Sequence, residues 1–504
     1  MKHKRLWVAV AVIVLAVVTV VATLMKYCSS PDRRQIEHPG DIAGARIGVQ
    51  LGTTSDIRVS KYENDNSATS VERYTKTADA IQALLQGKLD CIVEDEQPAL
   101  AFVAQNPELR ILPETFSTDH YAFCVSKDNR ALLDKINHAL MLLRNDGTLR
   151  TIHDSHVRQN LPVAYLPKRM ERPNGKLVVA TNATYKPYEY YDNGRVVGID
   201  IDIMQAVCDV LGMTLVVEDM NFDSVITSVQ TGKAQVGAAG LAVTSDRKKN
   251  VLFTTPYTEC RQVVIVRQAG ATVEHRSLAQ KFKADFITEG RYVYLLKGLG
   301  NTLVITFFAI LISLVLGSLI AVIRATHEQT GGLRLLNWLC QVYLTLVRGT
   351  PTMVQLLIIY YVVFAAADVS KVFVAIVAFG INSAAYMAEV VRSGIMAVPR
   401  GQTEAGRSLG FSYGQTLRLI ILPQAYKNVM PAIGNELITL LKETSISGYI
   451  GLVDLTKGSD IIRSITYDAM LPLGVVACIY LALVMALQAG VHRMEIKLRK
   501  NERK

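Results

Sequence analysis

The stretch RIGVQLGTTSD, Arg46–Asp56, opens an α/β ligand-binding lobe. Ile47 and Val49 alternate as a short strand does. Gly52 supplies a tight turn, and Thr53-Thr54-Ser55 is a run of helix N-cap residues. A strand that ends on a helix N-terminus points backbone N–H groups outward, where a carboxylate can sit. Working outward, Thr77–Gln86 reads as a helix with Ala80, Ile81, Leu84 and Leu85 on one side, stopped by Gly87. A strand Leu89–Val93 follows and ends at Glu94-Asp95. Residues 224–240 repeat the plan, with helix Ser224–Thr231, turn Gly232-Lys233 and strand Ala234–Ala239. The helix Gly198–Leu211, with Ile199, Ile203, Val207 and Val210 apolar, reads as lobe core. Two copies of one plan predict two lobes, with ligand contacts at strand carboxyl ends, where Asp95 and Gly240 fall.

The chain has 504 residues, too long for one domain. Long apolar runs occupy 1–30 and 293–490, whereas 31–290 has the texture of a soluble protein. The net charge of +10 gathers beside apolar segments: Lys2, Lys4 and Arg5 at one end, Arg493, Lys497, Arg499, Lys500, Arg503 and Lys504 at the other. That is the positive-inside pattern of membrane helices. No aromatic-basic stacking surface accompanies it, which argues against a nucleic-acid partner.

Leu6–Met25 is 20 residues without a charge, about 30 Å as a helix and enough to span a bilayer. It lacks a small-x-small cleavage site and reads as an uncleaved anchor. Five further spans are predicted near 301–323, 351–367, 372–391, 430–450 and 471–490. With Lys2–Arg5 inside, 31–290 lies outside. The segments 324–350 and 392–429 and the C-terminus then lie inside, with Arg324, Arg334, Arg348, Arg392, Arg400, Arg407, Arg418 and Lys427. Cys28, Cys91, Cys124, Cys208, Cys260, Cys340 and Cys478 show no metal-ligand spacing and read as buried thiols. His153 and His156 have no carboxylate or Cys companions in sequence and read as solvated. The sequence therefore presents neither a catalytic constellation nor a metal site.

The inner stretch EAGRSLGFSYGQTLRLIILP, Glu404–Pro423, reads as two short amphipathic helices joined at Gly410. It resembles the EAA loop of ABC importer permeases: Glu-Ala-Ala, a Gly, nine residues, then Ile-x-Leu-Pro. Glu404, Ala405, Gly410, Ile420, Leu422 and Pro423 match at that spacing. Gly406 stands where the family has its third Ala, a change expected to loosen helix packing slightly. Val347-Arg348-Gly349-Thr350-Pro351 with Gln355, then Pro423-Gln424-Ala425, Asn435-Glu436 and Lys442-Glu443-Thr444-Ser445, resemble the polar amino-acid branch of those permeases. The resemblance covers 290–495 and implies that the loop docks on a separate ABC ATPase. Gly87-Lys88 and Gly232-Lys233 are followed by Leu and Ala, so neither is a phosphate-binding loop. No cofactor is expected in this chain, ATP being used by the partner. Glu389 and Lys442 are expected at helix ends. Asn435 and Glu436, lying deeper and expensive to place in hydrocarbon, are candidate transmembrane substrate contacts.

Residues 176–267, from KLVVATNATYKPYEYYDNGRVVGIDIDIM through TSDRKKNVLFTTPY, resemble the first lobe of type II amino-acid binding proteins. Residues 43–157, from AGARIGVQLGTT through VEDEQPAL and RNDGTLRTI, resemble the second lobe and its returning helix. The lobe order is permuted. The resemblance gives Arg247 the ligand α-carboxylate as a bidentate pair and Thr53, with Thr54 beside it, further hydrogen bonds to that group. It gives Asp95 the α-ammonium and Tyr185 the packing over the ligand. Asn182 replaces the Asp common in binders of basic amino acids, which argues for a neutral polar ligand side chain. Ala242 replaces a Ser or Thr and removes one polar contact; Gly240 lies beside it at the strand end.

The expected division is an anchor at 1–30, second lobe at 41–126, returning helix at 127–157 and linker at 158–175. First lobe at 176–270, linker at 271–292 and all-α permease at 293–495 complete it. One original hinge is expected to survive near Tyr121–Lys127, with the other crossing cut; exchange of lobes between two chains is equally permitted. These readings describe a multi-pass cell-membrane permease subunit of an ATP-driven importer, with an extracytoplasmic binding domain for a polar amino acid such as glutamine. A second permease subunit, identical or paralogous, a free amino acid and membrane lipid are the further partners expected. The rival is a ligand-gated channel or sensor built from the same parts. A channel needs a re-entrant filter and a sensor kinase a cytoplasmic catalytic domain, and neither is visible.

Overall fold

The computed structural model describes residues 35–65, 68–268, 277–365, 369–466, 468 and 470–500. The anchor Leu6–Met25 and Cys28 lie outside the described residues. The chain forms two compact units, one of residues up to Ser117 with Arg261–Val273, the other of Thr118–Cys260 with Glu274–Lys504.

The first unit is a sheet lined by helices. Its strands run in the order Ser70–Tyr74, Arg46–Gln50, Cys91–Asp95, Thr258–Arg267, Leu109–Ile111. Arg46–Gln50 pairs parallel with both neighbours, whereas Thr258–Arg267 runs antiparallel to Cys91–Asp95 and Leu109–Ile111. Ile47, Val49, Cys91, Val93, Val264 and Val266 share one buried core. Gly48 lets the strand pack closely, since a Cβ there would lie 2.5 Å from Leu89 Cδ1 and force that side chain to shift.

Two boundaries differ from the sequence reading. Gln262–Arg267, assigned above to the first lobe, closes the second-lobe sheet. Cys124–Val125, assigned above to the second lobe, belongs to the first-lobe sheet. The chain passes between units inside two strands, Ser117–Tyr121 and Thr258–Arg267. Both crossings are therefore intact. The second crossing, expected to be cut, is a continuous strand, Thr258–Arg267.

In the second unit the first-lobe sheet runs Thr214–Asp219, Lys176–Thr181, Val236–Gly237, Cys124–Val125, Leu252–Phe253. The helices Arg130–Asn145, Thr148–Val157 and Ile199–Leu211 pack on it through Ile136, Leu140, Ile152, Ile203 and Val207. His156 is buried, not solvated, and its Nε2 lies 2.8 Å from Asp202 Oδ2. That carboxylate also accepts the amides of Ala164 (2.5 Å) and Tyr165 (3.0 Å). Asp209 accepts the Lys168 amide (2.7 Å), the Tyr165 hydroxyl and Arg172. Two acids on helix Ile199–Leu211 thus pin the 158–175 linker to the lobe. Cys91, Cys124, Cys208, Cys260 and Cys340 are buried as expected, whereas Cys478 is exposed.

In the permease, Tyr292–Thr330, Lys371–Met396 and Met470–Ile496 are long and apolar enough to cross a membrane. Arg334–Gly349 and Thr352–Val363 pass that test together but meet at a bend of 108°, making four at most among the described residues. The five expected spans are thus met in part. The 351–367 span is one arm of this bent pair. The 430–450 span is the end of Leu422–Glu443 continued by a 3₁₀ turn, Thr444–Ile450. That helix carries Lys427, Asn435, Glu436, Lys442 and Glu443 and is not among the helices long and apolar enough to cross a membrane. Glu389 pairs with Arg324 and with Arg392 (2.9 Å) within the helical bundle.

The first lobe and the permease meet within this unit. Lys371 pairs with Glu218, Lys457 pairs with Asp219 (2.9 Å), and the Tyr294 hydroxyl accepts the Gly194 amide (2.8 Å). Lys371 opens the 26-residue helix that ends at Met396, about 39 Å away at 1.5 Å per residue. Just past that far end begins the helix Arg400–Ser408.

Candidate functional site

On the second lobe, Thr53 immediately precedes the helix Thr54–Asp65. Its hydroxyl donates to the Gln50 carbonyl (2.8 Å) and accepts the Asp56 amide (3.3 Å). The hydroxyl oxygen thus caps the helix while its hydrogen is held by Gln50, and the Thr53 amide also bonds the Gln50 carbonyl (3.4 Å). Thr54 is buried and accepts Gln262 Nε2 (2.9 Å), which also reaches Ser55 Oγ (2.8 Å). Asp95 ends its strand, begins the helix Glu96–Gln105 and is buried. Its amide donates to Glu94 Oε1 (2.9 Å), and Glu94 is held by Thr77. The carboxylate thus stands on a rigid strand end, suited to an ammonium group.

On the first lobe, Arg247 lies in the short helix Ser245–Lys248, capped by Thr244, whose Oγ1 accepts the Arg247 amide (3.2 Å). The guanidinium is buried. It donates to the Ala242 carbonyl (2.8 Å) and lies 5.4 Å from the Phe222 ring centre. Ala242 therefore contributes through its main chain. Phe222 was not singled out from the sequence, although an aromatic at the first position of an amphipathic helix beside Asp219 was a legible signal.

Asn182 donates to the Met220 carbonyl (2.8 Å) and accepts Thr184 Oγ1 (2.9 Å). Its amide shapes the loop that carries Tyr185, which weakens the argument drawn from it about ligand charge. Tyr185 stacks on Tyr188 at 5.9 Å, and its hydroxyl is 3.3 Å from that of Tyr121. Gly240 has φ +51°, and a Cβ there would lie 3.0 Å from the Tyr185 ring, so a side chain would be strained and would press on that ring. Its amide donates to Asp200 (3.0 Å), which also accepts Tyr257. Burial pushes the Asp200 carboxyl up to about 6 against those donors. Burial, and then the Asp200 charge, holds Glu189 well above the usual carboxylate range.

The coupling stretch is two helices joined at a turn, as expected. Arg400–Ser408 ends where the Gly410 amide bonds the Arg407 carbonyl and the Phe411 amide bonds that of Gly406. This is a Schellman closure with Gly410 in the left-handed region at φ +86°. Ser412 and Gln415 cap the next helix reciprocally. Glu404, Ala405, Leu409 and Leu419 are exposed, and Pro423 stands in the first turn of Leu422–Glu443. Gly406 tightens the packing rather than loosening it. A Cβ there would lie 2.6 Å from Thr416 Cγ2 and 2.9 Å from Ile420 Cδ1. In the membrane region Glu436 accepts Ser383 Oγ (2.8 Å), which is 3.0 Å from Ser313, whereas Asn435 is exposed. The structure does not bring this pair to one point.

An α/β fold of two main sheets, one in each unit, with a helical bundle in the second, is the architecture of a solute-binding domain fused to a transporter permease. Residues 177–470 match the family of bacterial extracellular solute-binding proteins, family 3, a match that leaves out Thr53, Thr54 and Asp95. The arginine transport system permease protein ArtQ of Bacillus subtilis is 36% identical over 42% of this chain and 94% of its own length. The putative glutamine transport system permease protein GlnP of Rickettsia bellii is 36% identical over 41% of this chain and 94% of its own. A crystal structure described as an amino acid ABC transporter with histidines is 36% identical, covering 42% of this chain and 98% of that one, with a TM-score of 0.39. The chain belongs to family 3 of the bacterial extracellular solute-binding proteins and, in its C-terminal part, to the amino-acid ABC transporter permeases. The channel or sensor alternative finds no support among these relatives.

Proposed function

We propose that this amino-acid ABC permease subunit carries its own receptor outside the cell and takes a polar amino acid such as glutamine. Arg247 binds the α-carboxylate over Phe222, and Asp95 binds the α-ammonium. The Thr53-Thr54 turn, at a helix N-terminus, faces the same carboxylate, and Tyr185 packs over the ligand beside Gly240. The loop Glu404–Pro423 docks on a separate ATPase, and the permease pairs with a second copy or a close paralogue. One observation supports this reading most. The first lobe contacts the Lys371 end of a 26-residue helix, and the coupling knob follows its Met396 end, a separation of about 39 Å that exceeds a hydrocarbon core of roughly 30 Å. Receptor and knob then work on opposite membrane faces, an arrangement that the distribution of Lys and Arg supports. The names of the relatives, arginine and glutamine systems, favour an α-amino acid ligand.

The test is a thermal-shift screen of the full chain in detergent against the twenty amino acids, repeated with Arg247→Ala. A ligand raises stability by RT ln(1 + [L]/Kd). Leaving the ligand carboxylate unpaired costs on the order of 2–5 kcal/mol, so one or two amino acids should stabilise wild type and none the variant. Equal shifts in both proteins refute the assignment.

A further inference from the structure

The loop that carries Asn182 and Tyr185 rests on the end of strand Thr214–Asp219, and that strand end is gripped by the permease. Asp219 is buried, and its two oxygens face different partners. Oδ1 accepts the Ala183 amide at 2.9 Å. Oδ2 takes the Lys457 ammonium at 2.9 Å and the Tyr191 hydroxyl at 3.3 Å. Both side chains of the ion pair are about 5% exposed or less. Lys457 stands in the permease helix Leu455–Thr466. The nearby Asp454 is occupied by Ser447 Oγ and by the amides of Gly448 and Lys457. The ammonium is therefore directed to the lobe rather than to its own helix.

Two further permease groups close on the same place. Lys371 pairs with Glu218 and lies 3.4 Å from the carbonyls of Asp219 and Gly451. Gly451, at φ +69°, approaches so closely that a Cβ would lie 1.8 Å from the Asp219 carbonyl oxygen. Met220, the next residue, accepts Asn182 Nδ2 and donates its amide to the Thr181 carbonyl. From Lys457 to Ala183 is one side chain, and from Ala183 to Tyr185 is two residues.

We propose that Lys457 is a positioning residue for amino-acid binding, acting from the permease through Asp219 to hold loop 181–185 in its binding shape. This rests on the first lobe being the carboxylate-binding half of the receptor. A buried carboxylate that loses its cationic partner must regain hydration or move. Removing the Lys457 charge therefore frees Asp219, and with it the Ala183 amide that Asp219 holds. The permease, by releasing or seating one ion pair, changes the shape that the receptor offers to its ligand.

Hydrogen exchange of the full chain in detergent, without ligand, tests this independently of which amino acid is bound. In Lys457→Met the amides of 181–186 should exchange at least tenfold faster, with peptides from helix Ile199–Leu211 unchanged. Lys457→Arg, which keeps the charge, should stay within threefold of wild type. Exchange of 181–186 within threefold in Lys457→Met overturns the proposal, and so does an equal rise across 199–211, which marks global loosening. Binding of L-glutamine, read by calorimetry on the same proteins, should weaken at least fivefold in Lys457→Met. If wild type binds none of the twenty amino acids, the receptor reading fails while the exchange result still decides the linkage.

Discussion

Gln262 lies some two hundred residues from the helix Thr54–Asp65 that it holds. It is fully buried. Its amide donates to Thr54 Oγ1 (2.9 Å) and Ser55 Oγ (2.8 Å), and its carbonyl accepts Arg58 (2.6 Å) and Ser117 Oγ (2.6 Å). Gln262→Ala removes all four bonds. Three neutral bonds at about 1 kcal/mol each and one charged bond at about 1.5–3 kcal/mol give a gross loss near 5 kcal/mol. Water entering the space left by the side chain recovers part of it, leaving roughly 3–4 kcal/mol. At about 1.4 kcal/mol per tenfold, amide protection of 54–65 should fall about 10²–10³-fold, since local opening reports local stability. The assay is hydrogen exchange on the full chain, with helix Ile199–Leu211 as internal control. A change under threefold at 54–65 refutes the claim that this distant strand completes the second lobe. A matching fall at 199–211 refutes its locality.

Three further outcomes follow from particular contacts. Gly406→Ala should overpack the coupling knob by about 1–3 kcal/mol, exceeding the roughly 1 kcal/mol of helix propensity gained; ATP-driven uptake in vesicles should fall, and Thr416→Ser, which removes the opposing methyl, should restore it. Asp202→Ala should free the 158–175 linker, because one carboxylate oxygen holds His156 and two linker amides, and limited proteolysis should then cut within it. The folded Asp200 carboxyl, raised by burial to about 6 from 3.8, binds more protons than the unfolded one between those values. First-lobe stability should therefore fall as pH rises from 4 to 6, and Asp200→Asn should flatten that slope in melts followed by near-UV circular dichroism.

Much of the chemistry was legible because it follows local spacing. The interval from Glu404 to Pro423 predicts two helices around Gly410, and the turn closes there with a left-handed glycine. Asp95 falls at its strand end, as the β-α-β pattern requires, whereas the strand expected over 234–239 is only Val236–Gly237, and Gly240 lies three residues beyond it. What escaped is non-local. Thr258–Arg267 leaves one unit and enters the other without a Gly or Pro to punctuate it, so no composition change betrays the crossing. Gly406 looked like a weak helix former because its neighbours Thr416 and Ile420 come from the far side of the turn. Nothing local in the sequence reveals that Asn182 bonds Met220 and Thr184. His156 lacked a partner in sequence, and Asp202 supplies one from 46 residues away.

If the lobe order is permuted, as the sequence reading has it, the sheet can sustain it because a sheet depends on register rather than on chain order. Thr258–Arg267 and Arg46–Gln50, the strands on either side of the break, are not neighbours; Cys91–Asp95 lies between them and pairs with both. Cutting the loop between them breaks no ladder. The added connection, 158–175, has a closure entropy that grows only as (3/2)RT ln n, but ordering its backbone costs on the order of 1–2 kcal/mol per fixed residue. Helix Ile199–Leu211 meets that cost locally. Asp202 and Asp209 are seven residues apart, two turns on one face, and between them they accept three linker amides, the Tyr165 hydroxyl and Arg172. A linker held at two points on the lobe it serves is thereby ordered by that lobe alone.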